Sequence, residues 1–244
     1  MPSRFPRFAA LLLLLYACER SDERPTVTPV SEPPVVDSTS VPPTATYLAL
    51  GDSYTIGEGV EQRASFPFQL ADSLRARGFD VRPPTVIART GWRSDVLLAA
   101  FTDAAAGPPP NLVTVLIGVN DQYQGRSAEE FRGNFRLVLD RAEALAVGGR
   151  EDLIVVTIPD YSATPFASGR DTAAIRRALD GFDAVVVEEA TARGLPVIDI
   201  TPGSKAARQR PGVLLAADGL HPSGTQYAQW VSEMLPAVLA VVGE

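Results

Sequence analysis

Short apolar runs alternate with amphipathic stretches from about residue 46 to the end of the chain. Five apolar runs predict β-strands, at 46–50, 85–88, 111–118, 153–159 and 195–200. Apolar residues spaced three and four apart predict the intervening helices, at 67–77, 94–105, 127–145, 171–194 and from residue 223 onwards. Strands that alternate with helices favour right-handed crossovers and a parallel sheet. The pattern therefore predicts an α/β fold, a three-layer α/β/α sandwich.

The first 17 residues have the pattern of a signal peptide. Residues 1–17 carry two arginines and no acid, followed by roughly ten apolar residues. This run is too short for the roughly 20 residues that span a bilayer. Cys18, the only cysteine, follows it directly, and the arrangement resembles the lipobox of bacterial lipoproteins. The resemblance implies a lipidated Cys18 and a lipid-anchored protein of the bacterial cell envelope. Tyr16 departs from the lipobox pattern, so ordinary secretion stays open.

The segment 18–46 is rich in proline, threonine and serine. Prolines interrupt α-helices and the hydrogen bonding of β-sheets, and a segment of this composition favours an extended, polyproline-like conformation. We expect a disordered stalk here. The remaining residues, 47–244, have the length of one domain.

Composition excludes several classes of site. With one cysteine and one histidine in 244 residues, the chain holds neither a disulfide framework nor a metal site built on two imidazoles. A net charge of −7 repels phosphate backbones, which disfavours nucleic acid as a partner. We expect no metal, no cofactor and a monomer.

Chemically useful side chains follow the predicted strands where each strand ends. Ser53 follows the first strand, Gly91 the second and Asn120 the third, while Asp218 and His221 precede the last helix. Carboxyl ends of parallel strands share one edge, where ligands of such sheets bind. A serine, an imidazole, a carboxylate and amide donors at one edge are the groups of a serine hydrolase.

Each of these groups has a task in such an enzyme. His221 alone can take the proton of a serine hydroxyl at neutral pH, and Asp218 can fix the tautomer of its ring. The backbone N–H groups of Ser53 and Gly91 and the side-chain amide of Asn120 can bind the oxyanion. Taken singly, these residues also fit turns and helix caps. Their joint occurrence in this order favours catalysis.

The segments Gly51-Asp52-Ser53, Gly91, 118–121 and 218–222 resemble the four sequence blocks of the SGNH (GDSL-type) hydrolases, in order and over 47–244. The resemblance implies a flavodoxin-like, five-stranded parallel sheet in the order 2-1-3-4-5, and metal-free ester or thioester hydrolysis. It assigns Ser53 as nucleophile, Asp218 and His221 as the rest of the triad, and Ser53, Gly91 and Asn120 as the oxyanion hole. Tyr54 stands where the motif has leucine.

The substrate is less defined by the sequence. No long apolar insertion provides a lipid tunnel, which favours short acyl or O-acetyl esters. Lysophospholipase and thioesterase activities of the same family are alternatives, as is a non-catalytic envelope lipoprotein that binds a glycan or a partner protein. We expect Trp92 and Arg93 to form pocket walls, and Tyr161 and Phe166 either to line the pocket or to pack the loop 159–167. Asp52 and Asp121 are expected to hold loops.

Overall fold

The structure is a computed structural model that describes residues 44–103 and 108–243. The predicted signal peptide, Cys18 and the stalk up to residue 43 lie outside the described residues. The stalk prediction fails for its last residues, because Thr44–Ala45 forms a strand, β1, that pairs in parallel with β3 (Asp80–Val81). The Thr44 hydroxyl donates to Asp80 Oδ2 at 3.0 Å, which adds to this pairing.

Five parallel strands form the central sheet. They are β2 (Tyr47–Gly51), β4 (Thr85–Ala88), β5 (Leu112–Leu116), β6 (Leu153–Val156) and β7 (Val197–Ile198), in the spatial order β4-β2-β5-β6-β7. In chain order this is 2-1-3-4-5, so the predicted flavodoxin-like topology is confirmed. β2, β5 and β6 are buried throughout, as expected for strands covered on both faces.

Helices cover both faces of the sheet. Their bounds are α1 Ser53–Ile56, α2 Phe66–Arg75, α3 Ser94–Asp103, α4 Val119–Tyr123, α5 Ala128–Leu145, α6 Thr172–Ala192, α7 Thr201–Ala206, α8 Pro211–Leu214 and α9 Gly224–Val242. α2 packs against α9 in one layer, while α3 and α6 both pack against α5 in the other. The predicted three-layer sandwich is confirmed.

The helices α5, α6 and α9 begin where the apolar spacing predicted, and each follows a residue whose side chain caps it. Ser127 and Glu130 form a capping box before α5, and the side chains of Asp171 and Ser223 accept backbone N–H groups at the starts of α6 and α9. The strands β5, β6 and β7 are shorter than predicted, because the chain leaves the ladder early to enter loops and α4. α7 and α8 were not predicted, since six and four residues are too few to show a helical period.

Three strands of the sheet end at the same row of paired residues, which we call the rung. Gly51 of β2 pairs in register with Ala88 of β4 and with Leu116 of β5, and these are the last residues of their strands. A Cβ at Gly51 would lie well inside 3.0 Å of the Thr55 side chain and of the Leu116 carbonyl oxygen. Only glycine at position 51 therefore allows the chain to pass from the end of β2 into α1 beside β5.

Gly51→Ala is expected to destabilise the fold by about 3 kcal/mol, because the added methyl group meets both the buried Thr55 side chain and the backbone of β5, which cannot move aside. Urea unfolding monitored by circular dichroism measures the change. Gly133→Ala is the matched control: Gly133 lies within α5 with open space around it, so this variant should be slightly more stable than the wild type. A Gly51→Ala variant of wild-type stability would contradict the close approach.

An ionic cluster joins α5 to α6. The carboxylate of Glu189, which is almost fully buried, accepts from Arg132 Nη1 and Arg136 Nε, both at 2.8 Å, and from Arg193 Nη1 at 3.2 Å. The bond from Arg136 contributes most, and together these bonds outweigh burial and lower the pKa of Glu189 to about 2. The carboxylate therefore stabilises the folded state at every pH at which the Glu189 side chain would be ionised in the unfolded chain.

Glu189→Gln is expected to lower the free energy of unfolding by about 2 kcal/mol at pH 7, because the guanidinium groups lose a shared anionic partner. Since the folded pKa lies below the unfolded one, the stabilisation is complete above about pH 5 and declines as the pH falls towards 2. Chemical denaturation of both proteins at several pH values tests this. Glu188→Gln, which removes one exposed contact to Arg132, should have a much smaller effect. A difference between wild type and Glu189→Gln that does not change with pH would contradict the assignment.

Candidate active site

Ser53 is the first residue of α1, two positions after the end of β2. Asp52 caps this helix, its Oδ1 accepting the N–H of Tyr54 at 3.0 Å. The Tyr227 hydroxyl of α9 donates to the Tyr54 carbonyl at 2.9 Å, so the turn is held from both sides. Ser53 is 4% exposed, so the residue is almost fully shielded from bulk solvent.

Gly91 lies in the turn after β4. Its φ of +81° is in the left-handed region that favours glycine, and nothing lies within 4 Å of a Cβ built there. The side-chain amide of Gln124 donates to the Gly91 carbonyl at 2.9 Å, which fixes this turn to the end of α4. The peptide of Gly91 is therefore both held in place and open to a ligand.

Asn120 lies in α4, directly after β5 and the loop that ends it. Its Nδ2 donates to the Trp92 carbonyl at 3.0 Å and to Asp52 Oδ2 at 3.4 Å. The longer contact is the weaker of the two, so the second amide hydrogen is the one that a ligand oxygen can take over. This amide links the turns that follow β2, β4 and β5.

His221 and Asp218 share a turn before α9. His221 Nδ1 lies 2.6 Å from Asp218 Oδ2, while Asp218 Oδ1 accepts the N–H groups of Leu220 and His221 at 2.9 and 3.0 Å. Burial alone would raise the pKa of Asp218, but the bonds from the His221 ring and these N–H groups outweigh it and hold the pKa below its ordinary value. An antiparallel bridge between Leu215 and Pro222 closes the turn.

The predicted site residues meet at one cavity of about 260 Å³. Its wall contains Ser53, Gly91, Asn120 and His221, with Asp218 behind the imidazole. The His221 ring packs on the Tyr54 ring, with centroids 5.0 Å apart. The remaining lining residues are mostly apolar or aromatic: Val119, Tyr123, Tyr161, Phe166 and Leu220, with Thr90 and Gln124.

Two expectations about the cavity wall have different outcomes. Tyr161 and Phe166 line the cavity, as one of the two interpretations of their loop predicted. Trp92 and Arg93 are not among the lining residues: the Trp92 carbonyl holds Asn120, and Arg93 pairs with Asp95 at 2.9 Å. Side chains that follow a glycine turn can point to either side of it, and sequence spacing does not decide which.

Tyr123 and Gln124 were missed by the sequence analysis. They follow Asn120 by three and four residues, the spacing that places side chains on one face of a helix. The segment is too short to reveal its helical form from the sequence, and α4 has only five residues.

Two buried carboxyl groups hold the loops, as expected. Burial raises the pKa of Asp52 to about 7 even though the N–H of Tyr54 and the Asn120 amide donate to it. Burial also raises the pKa of Asp121, whose oxygens accept the backbone N–H and the hydroxyl of Ser94 at 2.9 and 2.6 Å. Each carboxyl group thus ties one loop of the site to another.

The residues that the structure describes contain no group of three histidine, cysteine, aspartate or glutamate side chains arranged to hold a metal ion. Within the same residues, no helix combines the length and the apolar character needed to cross a bilayer.

Solved structures similar to this one include proteins named as esterases. TesA is 21% identical, with a TM-score of 0.62 over 80% of this chain and 99% of its own. The acetylxylan esterase Axe2 from Geobacillus stearothermophilus is 19% identical, with a TM-score of 0.63 over 80% and 94%. The psychrotrophic esterase EstA from Pseudoalteromonas sp. is 16% identical, with a TM-score of 0.63 over 82% and 100%. At these identities the likeness shows the fold.

No curated protein matches the sequence. The model of the GDSL-like lipase/acylhydrolase family matches residues 49–229, about three-quarters of the chain, and this range contains every residue of the cavity described above. The chain therefore belongs to the GDSL-like lipase/acylhydrolase family and is a carboxylic ester hydrolase.

Proposed function

We propose that the protein cleaves short acyl esters, O-acetyl esters above all, through an acyl-serine intermediate on Ser53. The observation that supports this most directly is a small cavity whose wall combines a serine, an imidazole backed by a carboxylate, and amide donors. No metal enters the proposed reaction.

In the first step the Ser53 oxygen attacks the ester carbonyl while His221 Nε2 takes the hydroxyl proton. Asp218 accepts from Nδ1 at 2.6 Å, which leaves Nε2 free to act as the base and stabilises the imidazolium that forms. The imidazolium then gives its proton to the departing alcohol oxygen as the tetrahedral intermediate collapses to the acyl-serine. A water molecule, deprotonated by the same imidazole, releases the acid.

Two of the three proposed oxyanion donors make no other hydrogen bond among the described residues. The backbone N–H groups of Ser53 and Gly91 make no hydrogen bond to any described residue, and both residues line the cavity. Asn120 supplies a third donor by exchanging its 3.4 Å contact with Asp52 for the substrate oxygen. Donors placed in advance in this way stabilise the developing charge, and loss of one costs roughly 10² to 10³ in rate.

The size of the cavity supports a small acyl group. A volume of about 260 Å³ lies just below the range typical of drug-sized ligand sites, roughly 300 to 1,000 Å³. A long acyl chain would need a further apolar channel. The similarity to an acetylxylan esterase and to another esterase agrees with this preference, which distinguishes the proposal from lysophospholipase or long-chain thioesterase activity.

Ser53→Ala and His221→Ala are expected to lower kcat/KM for p-nitrophenyl acetate by at least about 10³-fold, because each removes a group that acts in the bond-making step. Release of p-nitrophenolate is followed on purified residues 41–244. Ser232→Ala, which removes an exposed hydroxyl on α9 that donates to its own helix, is the matched control and should retain wild-type activity. Asn120→Ala should lose about 10²-fold.

The covalent step has an independent readout. A fluorophosphonate probe should add to the wild type on Ser53, as seen by mass spectrometry of the intact protein and its peptides. Turnover that survives in Ser53→Ala, or labelling at another serine, would refute the proposed nucleophile.

We further propose that the mature protein is a lipoprotein of the cell envelope, anchored through Cys18. The support is the sequence of residues 1–18, in which a basic start and a short apolar run end at the only cysteine of the chain. The Pro-rich segment that follows would hold the enzyme away from the membrane.

Mass spectrometry of the protein expressed in a bacterial envelope tests the anchor. We expect an N-terminal peptide that begins at Cys18 and carries acyl chains, and Cys18→Ser should release the protein from the membrane fraction. A mature N-terminus at another residue, without lipid, would instead indicate ordinary secretion.

A further inference from the structure

A cluster of aromatic rings lies at the edge of the cavity. Tyr123 and Phe166 line the cavity and are also its most exposed aromatic side chains, 47% and 36% accessible. Their ring centroids are 6.0 Å apart, and each lies 6.0 to 6.3 Å from the ring of Tyr161. Because the same rings face both the cavity and the solvent, they form part of the cavity mouth.

Arg170 lies against two of these rings. Its Cζ is 4.7 Å from the Phe166 centroid and 5.4 Å from the Tyr123 centroid. Its backbone is fixed on both sides, because its N–H donates to Ala167 at 3.1 Å and its carbonyl accepts from Thr172 at 2.9 Å. Backbone hydrogen bonds therefore fix the position of Arg170, and contact with the two rings holds its guanidinium group at the cavity mouth.

No acidic side chain of the described residues forms an ion pair with Arg170. A guanidinium packed on aromatic rings keeps the N–H donors at its edge available, and these suit a carboxylate or phosphate in a two-pronged contact. Three charged groups close to the cavity have partners: Arg93 pairs with Asp95, Glu58 accepts from Thr90, and Asp218 holds His221. Arg170 therefore places a positive charge without an acidic partner against two rings of the cavity wall, in a chain of net charge −7.

We propose that Arg170, Tyr123 and Phe166 form a subsite for an anionic group on the alcohol portion of the ester, a carboxylate or a phosphate. This inference rests on the proposed function, since a small acyl group at Ser53 leaves the alcohol portion to extend towards the mouth. The rings contact the body of the alcohol, and the guanidinium edge binds its charge. Arg170 is a specificity-determining residue and takes no part in bond making.

A matched set of esters tests the subsite. 4-Acetoxybenzoate and 4-acetoxyphenyl phosphate carry the charge, while methyl 4-acetoxybenzoate has the same ring and acetyl group without it. We expect the wild type to prefer the charged esters, and Arg170→Gln to reduce the ratio of kcat/KM, charged over neutral, by about fivefold. Added salt at 0.5 M should reduce the wild-type ratio in the same direction, because the contact is partly exposed. Comparison of kcat/KM for 4-acetoxybenzoate and 4-acetoxyphenyl phosphate shows whether carboxylate or phosphate is the preferred anion.

Arg150→Gln is the control for net charge. Arg150 is exposed and lies in the 3₁₀ turn that leads into β6, at the end of the sheet opposite the site, so this variant makes the same change in charge and should leave the ratio as in the wild type. Arg170→Lys, which keeps the charge but not the planar stack, should give an intermediate ratio. The subsite would be overturned if Arg170→Gln left the ratio of kcat/KM, charged over neutral, within twofold of the wild type. An equal loss of kcat/KM for all three esters is such a result.

A binding measurement separates this inference from the proposed reaction. In Ser53→Ala, 4-hydroxybenzoate should perturb NMR signals of the cavity residues at lower concentration than its methyl ester does, and this advantage should disappear in Ser53→Ala/Arg170→Gln. Anion binding without ester turnover by the wild type would refute the proposed reaction alone. Turnover without any preference for charge would refute the subsite alone.

Discussion

The register of the three central strands determines where the site forms. Gly51, Ala88 and Leu116 occupy one rung of the sheet, and the chain turns away from it at all three. A slip of one residue between β2 and β5 would shift the strand ends by about 3.3 Å and would turn the side chains of β5 to the opposite face. Because Ser53 and Asn120 follow those ends within two to four residues, hydrogen bonding in the ladder sets their separation. The absence of a side chain at Gly51 lets the two strands approach closely enough.

Buried carboxyl groups then hold the loops that leave this rung. Asp52 accepts from Tyr54 and Asn120, and Asp121 accepts twice from Ser94. A buried carboxyl group is costly unless hydrogen bonds satisfy its oxygens, so a displaced loop would leave an unpaired polar atom in the protein interior. This penalty keeps the loops in place before any substrate binds. A site prepared in this way loses little free energy to reorganisation when charge develops on the substrate.

The sequence predicted the parts of this arrangement that depend on period and local chemistry. The helices of both layers, with their starts at residues 127, 171 and 223, follow from apolar spacing, whereas the strand order was implied by the resemblance to the SGNH hydrolases. The meeting of Ser53, Gly91, Asn120 and His221 at one cavity follows from the shared carboxyl edge of parallel strands. Elements of two to six residues, such as β1, β3 and α7, have too few positions to show a period. The direction of a side chain after a turn depends on backbone angles that the neighbouring residues do not fix, which is why Trp92 and Arg93 were misplaced and the stack of Arg170 on Phe166 was not expected.

The residues proposed for bond making lie at the ends of strands and helices, whereas the residues proposed for substrate choice lie in a loop connection. Ser53 and Asn120 begin short helices at strand ends, and His221 precedes a helix of 19 residues, so each is fixed by backbone hydrogen bonds of the core. Phe166 and Arg170 belong to the connection between β6 and α6, in which residues 157–163 and Ala167 are buried whereas the side chains of Phe166 and Arg170 are exposed. Substitutions of those two exposed side chains can alter the cavity mouth without changing the paired strand ends on which the reaction depends. Selectivity for the alcohol portion can therefore be changed at the mouth at little cost to the fold, whereas a change at the rung affects stability and catalysis together.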